Sequence, residues 1–200
     1  MSRSSKVGCL VVLICLLSFA VSAYAHPHVF ADVGVVAEFD QGGFVGIRNH
    51  WVYDEMYSSA LVSSAGHSGG GSFSDRESEW LKAAILGPIA EKNYYNYVQA
   101  EASFLKAEGI RNFKASMKGG KLVLDFLVAF SVPVVSDYTM LVIVVSDPTN
   151  YIQMTTDMEN ADVSAPKGLE VEFFADGLEG LTLFRGFRSE IQGLYLRFKR

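Results

Sequence analysis

Two of the chain's four histidines, His26 and His28, are separated by a single proline. Histidine is the commonest metal ligand among the side chains. On an extended strand, residues two apart share a face about 7 Å apart, close enough to converge on one ion. If the chain is cut after Ala25, His26 also carries a free α-amine, and an amine with an imidazole on the same residue can chelate, as in copper-binding histidine braces. The amino-terminal copper and nickel site that also has histidine third binds through deprotonated amides of residues two and three. Pro27 has no amide hydrogen, so that square-planar mode is excluded. Side-chain coordination remains, with Asp54 or Glu55 able to supply oxygens, and a His/carboxylate set suits zinc, nickel or cobalt. The alternative is a solvated terminus whose histidines hold nothing.

The other chemistry-bearing groups are fewer. Asp32 and His50 form either a metal half-site or a charge-assisted pair across two strands. Asp54 and Glu55 can be read as paired carboxylates, but a strand-to-helix junction also needs a cap such as Asp54. No serine sits in a nucleophile elbow, and Gly69-Gly70-Gly71 lacks the lysine of a phosphate loop. The residues describe a binding protein rather than an enzyme. A copper histidine-brace oxygenase would want a further convergent histidine, which only His50 could supply.

The elements that must position these groups begin after residue 25. Arg3 and Lys6, the apolar run Cys9 to Val21 and Ala23-Tyr24-Ala25 read as a secretory signal peptide cleaved after Ala25. The run is about 13 residues, short of the roughly 20 of a membrane-spanning helix, so no span is expected after processing. Both cysteines, Cys9 and Cys15, fall in this segment. The expected product, residues 26–200, is a single exported domain long enough to bury a core without disulfides. Losing Arg3 and Lys6 moves the formal charge from −5 to about −7. That balance argues against nucleic acid or an anionic membrane surface as partner.

From Val29 to Phe39 every odd position is apolar, the alternation of a half-buried strand. A three-residue loop, Asp40-Gln41-Gly42, leads to a second strand over 44–53 with Val45, Ile47, Trp51 and Tyr53 on its apolar side. With that loop Asp32 lies opposite His50 and His28 opposite Asp54. Asp54 then caps a helix over 55–63, and 64–72 reads as an exposed glycine/serine loop containing His67. Ser74 to Glu77 matches a capping box for a second helix to Leu86, with Trp80, Leu81, Ala84 and Ile85 as its buried stripe. Strands are expected over 94–100, 112–117, 122–130, 140–145, 151–155, 169–174 and 194–198. The sum is an α+β fold, a mainly antiparallel, sandwich-like β-sheet with two helices inserted after the first hairpin.

Three stretches in this order, HPHVFADV, HWVYDEMYS and VSDPTNYIQM, resemble the exported DUF1007 family, and the resemblance spans about 26 to 156. It implies a periplasmic accessory protein working with an inner-membrane permease of the nickel/cobalt type, with zinc handling in some members. His26 and His28 match the first motif, Trp51, Tyr53, Asp54 and Glu55 the second. Asp147, Pro148 and Tyr151 match the third, read as a structural turn and strand. Many relatives carry an Asp-rich calcium-type loop between the helices. Here Gly71, Phe73 and Glu77 keep their places in it, but the early ligand positions are Gly66, Ser68 and Gly70. Calcium needs six to eight oxygens, so no calcium is expected here.

Overall fold

The structure is a computed structural model that describes residues 29–67 and 72–200. The expected signal peptide, His26 and His28, and the stretch Ser68–Gly71 lie outside the described residues. The chain forms β1 (Val29–Asp40), β2 (Gly43–Tyr53), α1 (Glu55–Ser64) and α2 (Asp75–Leu86), then 3₁₀ turns over Gly87–Tyr95. There follow β3 (Asn96–Ala100), β4 (Ser103–Phe104), β5 (Gly109–Lys118), β6 (Lys121–Pro133), β7 (Thr139–Val145), β8 (Ile152–Thr156), β9 (Asp162–Ser164), β10 (Glu170–Gly177) and β11 (Gln192–Lys199). One sheet has the order β5-β6-β2-β1-β8, with β9 also pairing β1; the other runs β10-β11-β7-β3-β4. Pairing is antiparallel throughout, except that β8 and β9 lie parallel to β1. The expected α+β sandwich with two early helices is the observed fold.

The alternation in β1 does what its sequence implies: Val29, Ala31, Val33, Val35, Ala37 and Phe39 are all buried. They join one hydrophobic cluster with Trp51 and Phe126 of the first sheet, Val98, Ile143 and Leu196 of the second, and Leu81 and Ile85 of α2. A polar link crosses this apolar interior. Fully buried Asn49 on β2 donates from Nδ2 to Asn96 Oδ1 on β3 at 2.9 Å, and accepts from Trp51 Nε1 at 3.0 Å. Each member is satisfied, the condition under which a buried polar group fixes one packing arrangement rather than loosening the core.

The hairpin β1–β2 differs from expectation in register but not in face. Its turn has two residues, Gln41-Gly42, with Asp40 paired to Gly43. A bulge then leaves Val45 unpaired between Phe39↔Phe44 and Glu38↔Gly46. A two-residue turn plus a one-residue bulge keeps the parity of a three-residue loop, so the apolar faces still match, while every pair beyond the bulge shifts by two positions. Phe44, not Val45, therefore enters the core, against Phe39 at 5.4 Å and Phe130 at 6.3 Å between ring centroids. Gly46 makes the bulge possible: its φ is +151°, and a Cβ there would collide with the Val128 carbonyl.

Both helices start where their caps place them. Asp54 accepts from Tyr57 N–H, and Ser74 and Glu77 form the reciprocal capping box. The buried stripe of α2 is Leu81, Ile85 and Leu86. Trp80 is 40 % exposed and Ala84 is exposed too, because the stripe facing the sheet begins one position later than the sequence suggests. The residues expected to open the third strand, Tyr94 and Tyr95, instead end the 3₁₀ turns with positive φ.

Candidate functional site

The three motif stretches meet at one end of the first sheet. β1 lies between β2 and β8, with Ala31 opposite Tyr53 on one side and Val29 opposite Ile152 on the other. The end of β2, the first turn of α1 and the start of β8 therefore surround the point where β1 begins.

Asp54 closes this corner. Its Oδ1 accepts from Tyr57 N–H at 2.9 Å, and Oδ2 from Phe30 N–H at 3.0 Å, while its own N–H donates to the Phe30 carbonyl at 3.1 Å. Burial alone would raise the pKa of this carboxyl. The surrounding N–H groups, of Tyr57, Phe30, Met56 and Asp54 itself, outweigh that and hold it below its ordinary value. Asp147 fixes the other side. Its Oδ1 accepts from the N–H (2.8 Å) and hydroxyl (2.6 Å) of Thr149, and Oδ2 from the N–H groups of Tyr151 and Ile152, both at 3.0 Å. This buried carboxylate ties the Asp-Pro-Thr turn to the first residue of β8. It also lies close enough to Tyr95 that burial and its charge together push that phenol up to about 12.

Tyr53 and Trp51 are wholly buried. Tyr53 packs on Tyr57 at 5.0 Å, and among the described residues its hydroxyl has no hydrogen-bond partner. Burial drives its pKa well above 10. These motif positions act as scaffold. The exposed members of the same corner are Glu55, in the first turn of α1, with Phe30, Met56 and Tyr151.

The observed register corrects two expected pairings. Asp54 lies against Phe30, two residues later in the chain than its expected partner His28, which is outside the described residues. Asp32 is opposite Val52 and His50 opposite Gly34, so Asp32 and His50 are diagonal neighbours, roughly 7–8 Å apart, rather than a facing pair. His50 finds its carboxylate on the other flank: Nδ1 lies 2.7 Å from Oδ1 of Asp125 on β6. Both are largely exposed, on the face of the sheet away from the core. The sequence shows no local sign of that partner, which is 75 residues away.

His67 is a second correction. It lies in the inter-helix loop, but its side chain is only 10 % exposed. The ring packs on Phe73 at 4.4 Å, and Nδ1 is 2.9 Å from Oε1 of Glu77, whose Oε2 accepts from the N–H and hydroxyl of Ser74. Those Ser74 bonds, with the His67 bond, lower the Glu77 carboxyl from 4.5 to about 2. The closing glutamate of the calcium-type pattern is thus bound by a histidine and a serine. No group of three or more His, Cys, Asp or Glu among the described residues is arranged to hold a metal ion.

The family described as Protein of unknown function (DUF1007) matches residues 11–175. No curated protein matches the chain.

Proposed function

The chain belongs to the DUF1007 family, and on that premise we propose that it is an exported, periplasmic metal-binding accessory protein of a divalent-cation transport system, holding zinc, nickel or cobalt through His26 and His28. The observation that carries this reading is the convergence of the three motif stretches on the beginning of β1, the strand into which His26-Pro27-His28 leads. Two residues of chain span at most about 7 Å, which ties His28 to the neighbourhood of Phe30, where the Asp54 carboxylate is bonded. The two close bonds to Asp54, from Tyr57 and Phe30 N–H, use one acceptor site on each oxygen, and an ionised carboxylate offers about four such sites. Glu55 is the next oxygen donor at that corner, while Asp32 and His50 stand further along the sheet.

The transport role rests on the resemblance of the three motifs. The chain would present its ion to an inner-membrane cation permease, which carries out the passage itself. No helix among the described residues is long and apolar enough to cross a membrane. A second reading, a docking module that engages the permease without a metal, draws on exposed Phe30, Met56 and Tyr151 at the same corner.

The test uses protein processed by export to its own mature terminus. Titration calorimetry should show one zinc or nickel ion per chain, and an ion at about 100 times its Kd should stabilise the fold by about 2.7 kcal/mol. His26→Ala combined with His28→Ala should abolish both signals. Equal binding by that double variant refutes the metal assignment, and silence from the unmodified protein favours the docking module.

A further inference from the structure

Paired antiparallel neighbours are usually joined by about 2–5 residues. β10 and β11 pair directly, yet residues 178–191 connect them, a stretch beyond the 11–175 of the family match. This connection is anchored to the second sheet. Leu178 packs over Gly193 of β11, where an added Cβ would come within 2.8 Å of it. Buried Phe184 meets Phe104 at 5.0 Å between ring centroids, and Phe187 meets Tyr97 at 5.0 Å. Successive turns then use its backbone: the carbonyls of Leu178, Leu181 and Phe184 accept from the N–H groups of Leu181, Phe184 and Phe187 at 3.1, 3.1 and 2.9 Å. Folded in this way, the connection surrounds a cavity of about 340 Å³ lined by Leu178, Glu179, Leu181, Arg185, Arg188 and Ser189. Small-molecule sites begin at about 300 Å³.

Opposite charges line this cavity without meeting. Arg188 is engaged by Glu190, 3.1 Å from its Nε. Arg185 and Glu179, by contrast, form no ion pair or side-chain hydrogen bond among the described residues. The Glu179 carboxylate folds back over Gly177, at the place a Cβ on that residue would occupy. A guanidinium and a carboxylate that share one small cavity and stay apart leave room between them for a ligand that carries both charges. The guanidinium fork matches a carboxylate, and Glu179 is the charge-assisted acceptor an ammonium needs. Leu178 and Leu181 supply apolar surface in the same lining.

We propose that this cavity binds a free α-amino acid with an apolar side chain, its carboxylate on Arg185, its ammonium on Glu179 and its side chain against Leu178 and Leu181. A simple anion would satisfy Arg185 but face the Glu179 carboxylate, and a simple amine would face the guanidinium. In an α-amino acid both charges stand on one carbon, which suits partners drawn from a single short stretch of chain. Arg185 and Glu179 are both exposed, and exposed ion pairs contribute little. The site is therefore a weak one, with a Kd of about 1 mM.

Nuclear magnetic resonance titration of the metal-free mature protein with L-leucine tests this apart from the proposed metal site. The amides of Gly180 and Ser189, in the cavity lining, should shift saturably. Isocaproate, which lacks the ammonium, and isoamylamine, which lacks the carboxylate, should each bind at least about threefold more weakly than leucine. Arg185→Gln and Glu179→Gln should each weaken leucine by a similar factor, with the rest of the spectrum unchanged. If one of them does not fold, the other decides, together with Gly177→Ala, which displaces the Glu179 carboxylate and should act as Glu179→Gln does. No saturable shift up to about 10 mM leucine, a single-charge analogue that binds as tightly, or unchanged affinity in a folded variant overturns the proposal. Tighter binding of the dipeptide Leu-Leu would give the cavity to peptide termini and overturn the free amino acid.

Discussion

Asp54 is asked to do three things: cap α1, bond the Phe30 N–H and supply a metal ligand. Two substitutions separate them. Asp54→Ala removes the cap, which costs about 1 kcal/mol. It also removes the bond from Phe30 N–H, 3.0 Å long and to a charged acceptor. Such bonds contribute about 1.5–3 kcal/mol when buried. Water competes at this half-buried carboxylate, so about 1 kcal/mol is the better figure. The expected loss is therefore about 2 kcal/mol by urea denaturation near neutral pH. Asp54→Ser keeps an oxygen for Tyr57 N–H and so keeps the cap, but cannot also reach Phe30, and should lose only about 1 kcal/mol. Serine, however, offers no carboxylate. If Asp54 coordinates the ion, zinc affinity in Asp54→Ser should fall at least tenfold while the protein stays folded. Alanine within about 0.5 kcal/mol of the parent protein would refute the cap-and-strand reasoning. Serine binding zinc as tightly as aspartate would remove Asp54 from the ligand set.

Asn49→Leu should destabilise the protein by about 2–6 kcal/mol in denaturation, because it strands the buried Trp51 Nε1 and Asn96 Oδ1 at about 1–3 kcal/mol each. Adding Asn96→Leu should cost less than the sum of the two single changes, since they share one bond. The Glu77 carboxyl, lowered to about 2 in the fold, contributes stability that is fully present above its ordinary 4.5 and is lost as pH falls towards 2. A melting series over that window should therefore slope less steeply for Glu77→Gln than for the parent, and parallel slopes would contradict the assignment. His67→Ala should lower stability by about 1–3 kcal/mol, since it removes a buried ring from Phe73 and a partner from Glu77; no change in the melt would mean that the loop does not depend on the histidine.

What the sequence determined by itself was local. The alternation of 29–39 reports burial directly, because successive side chains on a strand point to opposite faces. Asp54 and the Ser74–Glu77 box mark helix starts because a capping side chain reaches only two or three residues ahead. The family motifs were legible as strings, and so was the α+β order of the elements.

Only the tertiary structure decided who meets whom. The hairpin kept its faces yet moved every pair beyond the bulge by two positions, because a two-residue turn with a bulge at Val45 has the parity of a three-residue loop. The deciding factor, the approach of the Val128 carbonyl to Gly46, comes from a strand some eighty residues later. His50 found Asp125 rather than Asp32, and His67 became buried rather than exposed, for the same reason: their partners belong to other elements, and sequence distance says nothing about which surfaces pack. The parallel placement of β8 beside β1 likewise brings Asp147 and Ile152 to the start of β1. Periodicity and caps are written in neighbouring residues, whereas register and the meeting of distant motifs are set by how whole strands close-pack over one core.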